Sequence, residues 1–409
     1  MTTKRALGNG LVGTIVAVAA VAFAVPAGAG GPAVRTGPRG DAFYAGKAKA
    51  GARNGDVIWV RSVAAPAGAR AWKVLYKSQA VSGKPVAVSG IVVAPKKKAP
   101  KGGFPVVTWA HGTSGLADPC APSKEASAAA RIPWVDQYLK AGYAVAATDY
   151  EGLGTPGLHP YLVGASEGRG VLDAARAARR IPDAHAGNRV VIFGHSQGGH
   201  AALFAGQIAP TYAPDLKVVG TAAAAPAAEL KLLLGVAASV DSFLGYVTMG
   251  ARGFGAAYPE AQQALATVMT PKGLKDSDVV ETKCSDDVNA AMKQPPDQLI
   301  AKNPLDVPPF PKLIDENTPG NVKTRSPMLV VQGTKDPLVI PGTTDSFVQR
   351  ACGAGDVLVY RKYPGADHGR VMIDSQRDVL AWMHDRFAGT GAGPAPAAGP
   401  DVSSCNLQP

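Results

Sequence analysis

The chain has 409 residues, of which 46% are hydrophobic and only 18% are charged, so it can build one large core or two. Its net charge of +11 comes from basic residues scattered along the chain, with one cluster at Lys96, Lys97, Lys98 and Lys101. No aromatic residues alternate with that cluster, which argues against a nucleic-acid-binding protein.

The N-terminal segment has the pattern of a secretory signal peptide. Two basic residues precede an apolar run of 15 residues at 11–25, and a small-x-small motif follows at residues 27–29. A membrane anchor is the alternative, but a spanning helix needs roughly 20 apolar residues. We therefore predict a signal peptide over residues 1–29, cleavage after Ala29 and a secreted, extracellular protein.

Three short runs after this segment have the composition of β-strands. Residues 57–63, 71–80 and 85–95 are rich in β-branched and aromatic side chains and are separated by turn residues. Gly83 and Lys84 fit a hairpin link between the last two runs. These patterns predict antiparallel strands at one edge of a sheet.

From residue 104 onward, apolar strands alternate with helices. This alternation predicts a mostly parallel central sheet that is covered by helices on both faces. The predicted strands are 104–110, 143–150, 189–194 and 216–225, and the predicted helices are 132–142, 166–181 and 198–209.

The alternation stops near Pro226 and resumes at residue 326. The intervening residues contain amphipathic helical pieces, such as 228–247 and 257–269, and a Pro-rich stretch, but no strand pattern. We interpret residues 226–325 as a helical cap inserted into an α/β core, either as a mobile lid or as a fixed roof.

The core is therefore predicted in two parts, residues 30–225 and residues 326–388. The second part contains predicted strands at 326–333 and 356–363 and predicted helices at about 342–352 and 373–388. Residues 389–409 form a C-terminal tail that begins with a Gly/Ala/Pro linker over 389–400.

The four cysteines indicate two disulfides, because their number is even and the chain is predicted to be exported. Of the three pairings that four cysteines allow, we expect Cys120–Cys284 and Cys352–Cys405. The second pair would fasten the C-terminal tail to the core. None of the spacings is a CxxC motif, so the sequence does not predict a zinc site.

The most informative motif is Gly194-His195-Ser196-Gln197-Gly198, a complete G-x-S-x-G between a predicted strand and a predicted helix. In that context the motif is typical of a sharp turn that exposes a nucleophilic serine at the carboxyl edge of a sheet. Such a turn forces a positive φ on the serine and requires small residues two positions away on either side. We predict Ser196 as the nucleophile rather than as a serine in an ordinary turn.

A nucleophilic serine needs a histidine base and a carboxylate that orients it. Of the histidines after Ser196, His200 lies one turn along the same helix and His384 lies in the last predicted helix. His368 follows a predicted strand in the sequence YPGADHG, where a base is expected. We therefore predict His368 as the base.

The acid is expected in a loop between the serine and the histidine in the sequence. Asp336 lies just past the strand MLVVQG and is our prediction. Asp345, in the next helix, and Asp367, next to the histidine, are the alternatives.

Two N–H donors are needed to stabilise the oxyanion. One is expected from the backbone of Gln197, the residue after the nucleophile. The other is expected from the loop at 111–115, where we predict the N–H of Thr113, with Gly112 and Ser114 as alternatives.

Taken together, these motifs resemble the secretory lipase family of α/β-hydrolases, which includes fungal lipase A-type enzymes and exported actinobacterial lipases. The resemblance covers about residues 55–388 and is carried by five stretches. They are HGTSGLADPCAPS (111–123), ATDYEGLGTPGLHPYLVGASEGRGVLDAARA (147–177), GHSQGGHAALFA (194–205), GTKDPLVI (333–340) and ADHG (366–369).

This resemblance implies an α/β-hydrolase fold with a helical cap over a Ser196–Asp336–His368 triad, and it supports the cysteine pairing given above. It also implies that residues 149–151 line or brace the substrate pocket. We include His111, Gly112, Asp149 and Tyr150 as candidate pocket residues.

The implied reaction is the hydrolysis of carboxylic esters, including acylglycerols, through an acyl-enzyme. The expected partners are a lipid or small ester substrate and, transiently, a lipid surface, and neither a metal nor a cofactor is required. Three alternatives remain: an acyltransferase acting on envelope glycolipids, a capped peptidase, and a binding protein built on an inactive hydrolase fold.

Overall fold

Ten strands form one sheet in a computed structural model, which describes residues 1–3, 34–390 and 402–406. The strand order is β1-β2-β3-β5-β4-β6-β7-β8-β9-β10. The strands are β1 Val57–Ser62, β2 Ala69–Gln79, β3 Pro85–Pro95, β4 Phe104–Ala110, β5 Ala144–Glu151, β6 Ala186–His195, β7 Lys217–Ala224, β8 Met328–Gly333, β9 Leu358–Tyr363 and β10 Val402–Cys405.

The predicted signal peptide, its cleavage site after Ala29 and most of the predicted linker lie outside the described residues. Of the helices within the described residues, none is both long and apolar enough to cross a membrane.

The first three strands are antiparallel, as predicted, and β2 and β3 form a hairpin through Gly83, whose φ is 85°. Strand β3 then pairs antiparallel with β5. From β5 to β9 every pairing is parallel, which confirms the predicted central sheet. Buried apolar side chains fill these inner strands because helices cover both of their faces.

The helices are α1 Ala128–Arg131, α2 Val135–Ala141, α3 Gly164–Arg179, α4 Gln197–Tyr212, α5 Leu230–Ala237, α6 Leu244–Ala257, α7 Pro259–Val268, α8 Pro271–Ser277, α9 Ser285–Ala291, α10 Pro296–Leu299, α11 Phe310–Glu316, α12 Pro341–Gly353, α13 Arg370–Asp374 and α14 Gln376–Ala388. Helices α3, α4 and α12 pack on one face of the sheet. Helices α2 and α14 pack on the other face. The strands therefore lie in the middle of a three-layer core.

Seven helices, α5 to α11, occupy the connection between β7 and β8 and share a buried apolar cluster of their own. The helical pattern over 228–247 is interrupted in the structure, because α5 ends at Ala237 and α6 begins at Leu244. Between them, the Asp241 carboxylate accepts a hydrogen bond from the Ser242 N–H. Short polar side chains of this kind compete with helical hydrogen bonding, and this explains the break.

The C-terminal strand β10 was not predicted by its sequence pattern. It pairs antiparallel with the edge strand β9, opposite Leu358 to Arg361. The disulfide Cys352–Cys405 joins it to α12, and Cys120–Cys284 joins the loop after β4 to α9. Both disulfides are the pairs expected from the sequence.

Replacing Cys352 and Cys405 together by Ala is expected to lower the free energy of unfolding by about 2–4 kcal/mol, because the unfolded chain then loses a closed loop. Denaturant unfolding of the double variant beside the wild type measures this difference. Peptide mapping of the wild-type protein serves as the control, and free thiols at these two positions would contradict the assignment.

Candidate active site

A sharp turn places Ser196 at the carboxyl edge of the sheet. Strand β6 ends at His195, α4 begins at Gln197, and Ser196 between them has a φ of 59°. The predicted positive φ is therefore observed. The amino terminus of a 16-residue helix adjoins the serine, so its unpaired N–H groups and positive dipole end face the same point.

Glycines on either side of the serine allow this turn. A Cβ built on Gly194 would lie 1.9 Å from the Gly198 carbonyl oxygen. A Cβ built on Gly198 would lie 1.9 Å from the carbonyl oxygen of Ala110 at the end of β4. Because both obstacles are backbone atoms, no side-chain movement could accommodate a larger residue.

Asp336 and His368 form a hydrogen-bonded pair beside this turn. His368 Nδ1 donates to Asp336 Oδ2 over 2.7 Å. The buried Asp336 carboxylate also accepts the N–H groups of Leu338 and Val339 through Oδ1, each over 2.9 Å. With Nδ1 as the donor, a neutral His368 keeps Nε2 as its proton-accepting nitrogen.

The alternative acids and bases have other partners. Asp345 accepts from Tyr360 and pairs with Lys362. Asp367 accepts the N–H groups of Gly369 and Arg370 at the start of α13. His384 is exposed, whereas His200 is buried in a network described below.

The ring of His195 supports the candidate base, His368, by binding the backbone of His368. The Nε2–H of His195 donates to the His368 carbonyl oxygen over 2.8 Å, and the two rings are 4.6 Å apart. Burial lowers the pKa of His195 to about 4, and the neighbouring His368 lowers it as well. His195 is therefore neutral at pH 7 and can keep this hydrogen bond.

The loop after β4 approaches the serine from the other side. A Cβ built on Gly112 would lie 3.6 Å from Ser196 Cβ. Within the described residues, neither the Thr113 N–H nor the Gln197 N–H donates to another protein atom. Both predicted oxyanion donors thus remain available to a ligand. Ser285 at the start of α9 holds this loop by donating its N–H to Ser114 O over 3.0 Å.

Of the four candidate pocket residues, only Gly112 lines the cavity that contains Ser196. The other three, His111, Asp149 and Tyr150, do not line this cavity. Tyr150 has a φ of 73°, and this turns its hydroxyl toward the His111 carbonyl oxygen, to which it donates over 2.9 Å.

Asp149 is buried beside them, and two serines hold its carboxylate. It accepts hydrogen bonds from Ser89 Oγ over 2.6 Å and from Ser123 N over 2.9 Å. Burial raises its pKa. Asp149 therefore braces the end of β5 instead of contacting a ligand in the cavity.

The cavity beside Ser196 has a volume of about 250 Å³ and mostly apolar walls. The polar side chains that line it are Thr113, Tyr161, His195, Ser196, Tyr246 and His368. The apolar wall is formed by α5, by the residues before α6, and by the loop that follows Asp336. Its members are Leu162, Ala227, Leu230, Leu233, Leu234, Val236, Ala237, Phe243, Leu338, Val339 and Ile340.

The sequence analysis missed four residues around this site: His195, His159, Tyr161 and Glu167. His195 lies inside the G-x-S-x-G motif, which leaves that position free. The other three lie in the 147–177 stretch of the family resemblance, which marked the region but gave no role to individual side chains. Among the described residues, no three His, Cys, Asp or Glu side chains are grouped so as to hold a metal ion.

Comparison with known proteins gives a family match. The model of the secretory lipase family matches residues 125–394 of this chain. A secreted triacylglycerol lipase of Malassezia globosa is 27% identical over 344 residues, covering 78% of this chain and 73% of that protein. A Mycobacterium tuberculosis protein described as a probable inactive lipase is 25% identical, covering 78% of this chain and 74% of its own length.

A solved structure supports the fold. Candida antarctica lipase A superimposes with a TM-score of 0.73 at 21% identity, covering 83% of each chain. This similarity confirms the α/β-hydrolase architecture, with its mostly parallel sheet flanked by helices.

Replacing Gly198 by Ala is expected to destabilise the protein by about 3 kcal/mol or more, because the new methyl group collides with the backbone of β4. The free energy of unfolding measures the effect. Gly342→Ala is the matched control, since a Cβ there meets nothing within 4 Å. Equal stabilities of the two variants would show that the contact at Gly198 is not tight.

Proposed function

The chain belongs to the secretory lipase family and is a carboxylic ester hydrolase, and we propose that it cleaves acyl esters, including triacylglycerols, through a Ser196–His368–Asp336 triad. The observation that carries the triad is the 2.7 Å hydrogen bond between His368 and Asp336 beside a serine at a strand-to-helix turn. In this triad Ser196 is the nucleophile, His368 is the base and Asp336 is the orienting acid.

In the first half of the reaction, Ser196 Oγ attacks the ester carbonyl carbon while His368 Nε2 takes the serine proton. The negative charge that forms on the carbonyl oxygen is stabilised by the N–H groups of Gln197 and Thr113. His368 then gives its proton to the departing alcohol, and an acyl-Ser196 ester remains.

In the second half, His368 takes a proton from water, and the resulting hydroxide attacks the acyl-enzyme carbonyl. The same two N–H groups receive the oxyanion. Asp336 keeps Nδ1 of His368 protonated through both halves, so that Nε2 always faces the reacting oxygen. The bond between the carbonyl carbon and Ser196 Oγ then breaks, His368 gives its proton to Oγ, and the carboxylic acid leaves.

The apolar wall of the cavity supports the proposal that the cavity binds the acyl chain of the substrate. Leu230, Leu233 and Leu234 of α5 present aliphatic side chains to the cavity. The residues that line it include no Asp, Glu, Lys or Arg. Val236, Leu338 and Ile340 line the cavity and are also exposed at 36–45%. We infer that this apolar rim contacts a lipid surface transiently while the substrate enters.

The proposed location is extracellular. Family membership and the two disulfides support export, and the N-terminal sequence supports removal of residues 1–29 by cleavage after Ala29.

Replacing Ser196 by Ala is expected to reduce kcat for a p-nitrophenyl ester by at least about a thousandfold, because no other group can form the acyl-enzyme. The wild type is also expected to label with a fluorophosphonate probe at Ser196. Unlabelled wild-type protein without esterase activity would instead favour a binding protein on an inactive fold.

The acid is tested by a matched pair. Asp336→Asn is expected to lower kcat by about 10⁴-fold, because the neutral amide favours the wrong histidine tautomer. Asp345→Asn, at the alternative acid, is expected to keep kcat within about twofold.

Product analysis with an added sugar or alcohol, and a panel of aminoacyl amides, distinguishes hydrolysis of esters from acyl transfer and peptide cleavage.

The acyl site predicts a dependence on chain length. Below the solubility limit, kcat/KM should rise from acetyl to octanoyl esters, by up to about fourfold for each CH₂ that the cavity buries. Leu234→Asp is expected to abolish this rise because it places a charge in the apolar wall. Leu232→Asp on the same helix is the control, since Leu232 is 49% exposed and does not line the cavity.

A further inference from the structure

We propose that Glu167 is a positioning residue for the oxyanion hole: its buried carboxylate fixes the side chain of Gln197 and thereby the direction of the Gln197 N–H. This inference rests on the proposed function. It assigns a role to residues 159–167, which lead into α3 and form its first turn. The family resemblance includes these residues and the triad leaves them unused.

The Glu167 carboxylate is fully buried, and three donors satisfy it. Its Oε1 accepts the Gln197 Nε2–H over 2.8 Å and the Leu162 N–H over 2.9 Å. Its Oε2 accepts the His200 Nδ1–H over 2.8 Å. Two of these donors, Gln197 and His200, lie on the first turn of α4, directly after the proposed nucleophile.

Both amide hydrogens of Gln197 are used in this network. One is donated to Glu167, and the other is donated to His159 Nε2 over 2.8 Å. His159 can accept it because its Nδ1–H donates to the Glu151 carbonyl oxygen over 2.8 Å. Burial lowers the pKa of His159 to about 4, so the ring is neutral and Nε2 is an acceptor at pH 7.

Because Gln197 is the first residue of α4, holding its side chain at two points also holds its backbone. The N–H of this same residue is the proposed oxyanion donor. Its direction has to be correct before the substrate arrives, since preorganisation is what makes an oxyanion hole effective.

The charge of Glu167 is compensated by His200. Both ring nitrogens of His200 face acceptors, the Glu167 carboxylate and the Asn317 carbonyl oxygen, each over 2.8 Å. Burial alone would raise the pKa of Glu167, but the hydrogen bond and charge of His200 outweigh it and lower the pKa.

The same stretch reaches the second proposed donor. Tyr161 lies six residues before Glu167, and its hydroxyl is hydrogen-bonded to Thr113 Oγ1 over 2.9 Å. Thr113 lies in the loop after β4 and Gln197 begins α4, yet both contact side chains of residues 159–167. The spacing between the two donors is therefore set by one segment of chain.

Glu167→Met tests the proposal with a side chain of similar length. The thioether is only a weak acceptor, so the amides of Gln197 and Leu162 and the ring of His200 lose the carboxylate that accepts from them. We expect kcat for a soluble ester to fall by at least about tenfold, which is less than the 10²–10³-fold cost of deleting an oxyanion donor. KM should stay within about twofold, because the acyl wall is untouched.

A transition-state analogue separates positioning from general damage. An alkyl trifluoromethyl ketone adds Ser196 Oγ to its carbonyl carbon and places an oxyanion in the hole. Its inhibition constant should rise in parallel with the loss of kcat. Gln197→Met, which keeps the backbone N–H but removes the amide, should give the same two changes if Glu167→Met does not fold.

Asp173→Leu, which likewise removes a buried carboxylate, is the matched control. Asp173 is also a fully buried carboxylate of α3, held by Ser78, Tyr212 and Arg176, but it contacts neither proposed donor. It should lower the melting temperature comparably while kcat stays within about twofold.

The inference is overturned if folded Glu167→Met keeps wild-type kcat, if its loss only equals that of Asp173→Leu, or if the inhibitor binds as tightly as before. An inactive wild type, or a fully active Ser196→Ala variant, would instead overturn the proposed function.

Discussion

The backbone contact among Gly194, Gly198 and Ala110 is the constraint on which the site depends. It brings the end of β4, the end of β6 and the start of α4 so close together that there is no room for a Cβ atom at Gly194 or Gly198. The positive φ of Ser196 is a consequence, because the chain must reverse within one residue. The loop that carries Gly112 and Thr113 starts from the same point of contact, and for that reason it lies over the serine.

A strained turn has to be supported by its surroundings, and here the supports are polar and buried. His195 holds the backbone of His368, Tyr150 holds the backbone of His111, and Glu167 holds the side chain of Gln197. Burying a carboxylate is costly unless its hydrogen-bonding capacity is filled by donors. Glu167 and Asp336 each accept at least three hydrogen bonds, and these offset the cost of burying the two carboxylates.

The sequence was sufficient to predict most of the sheet and to select Ser196, Asp336 and His368 as candidates, because each of these depends on a local pattern. Apolar runs located most strands, and β3 and β4 begin and end as predicted. The motif around Ser196, and the positions of Asp336 and His368 just after strands, led to residues that the fold brings together. The sequence was not sufficient to predict β10, whose pairing depends on a distant disulfide. It also did not predict the break in the helix after Ala237. Glu167 and His159 could not be assigned either, because their partners are 30 and 38 residues away in sequence and no periodicity relates them.

The two tasks of the proposed enzyme are carried by different parts of the fold. The reacting groups and their supports lie on strand ends, on the first turn of α4 and on residues 159–167, where nearly every polar side chain has a partner. The acyl wall lies mainly on α5 and on residues 338–340, which contribute aliphatic side chains and few hydrogen bonds. Because a methylene group is worth only about 0.8 kcal/mol, chain-length preference can be changed by small substitutions in that wall. Glu167, which holds the side chain of Gln197, does not line the cavity, so substitutions in that wall leave this support in place.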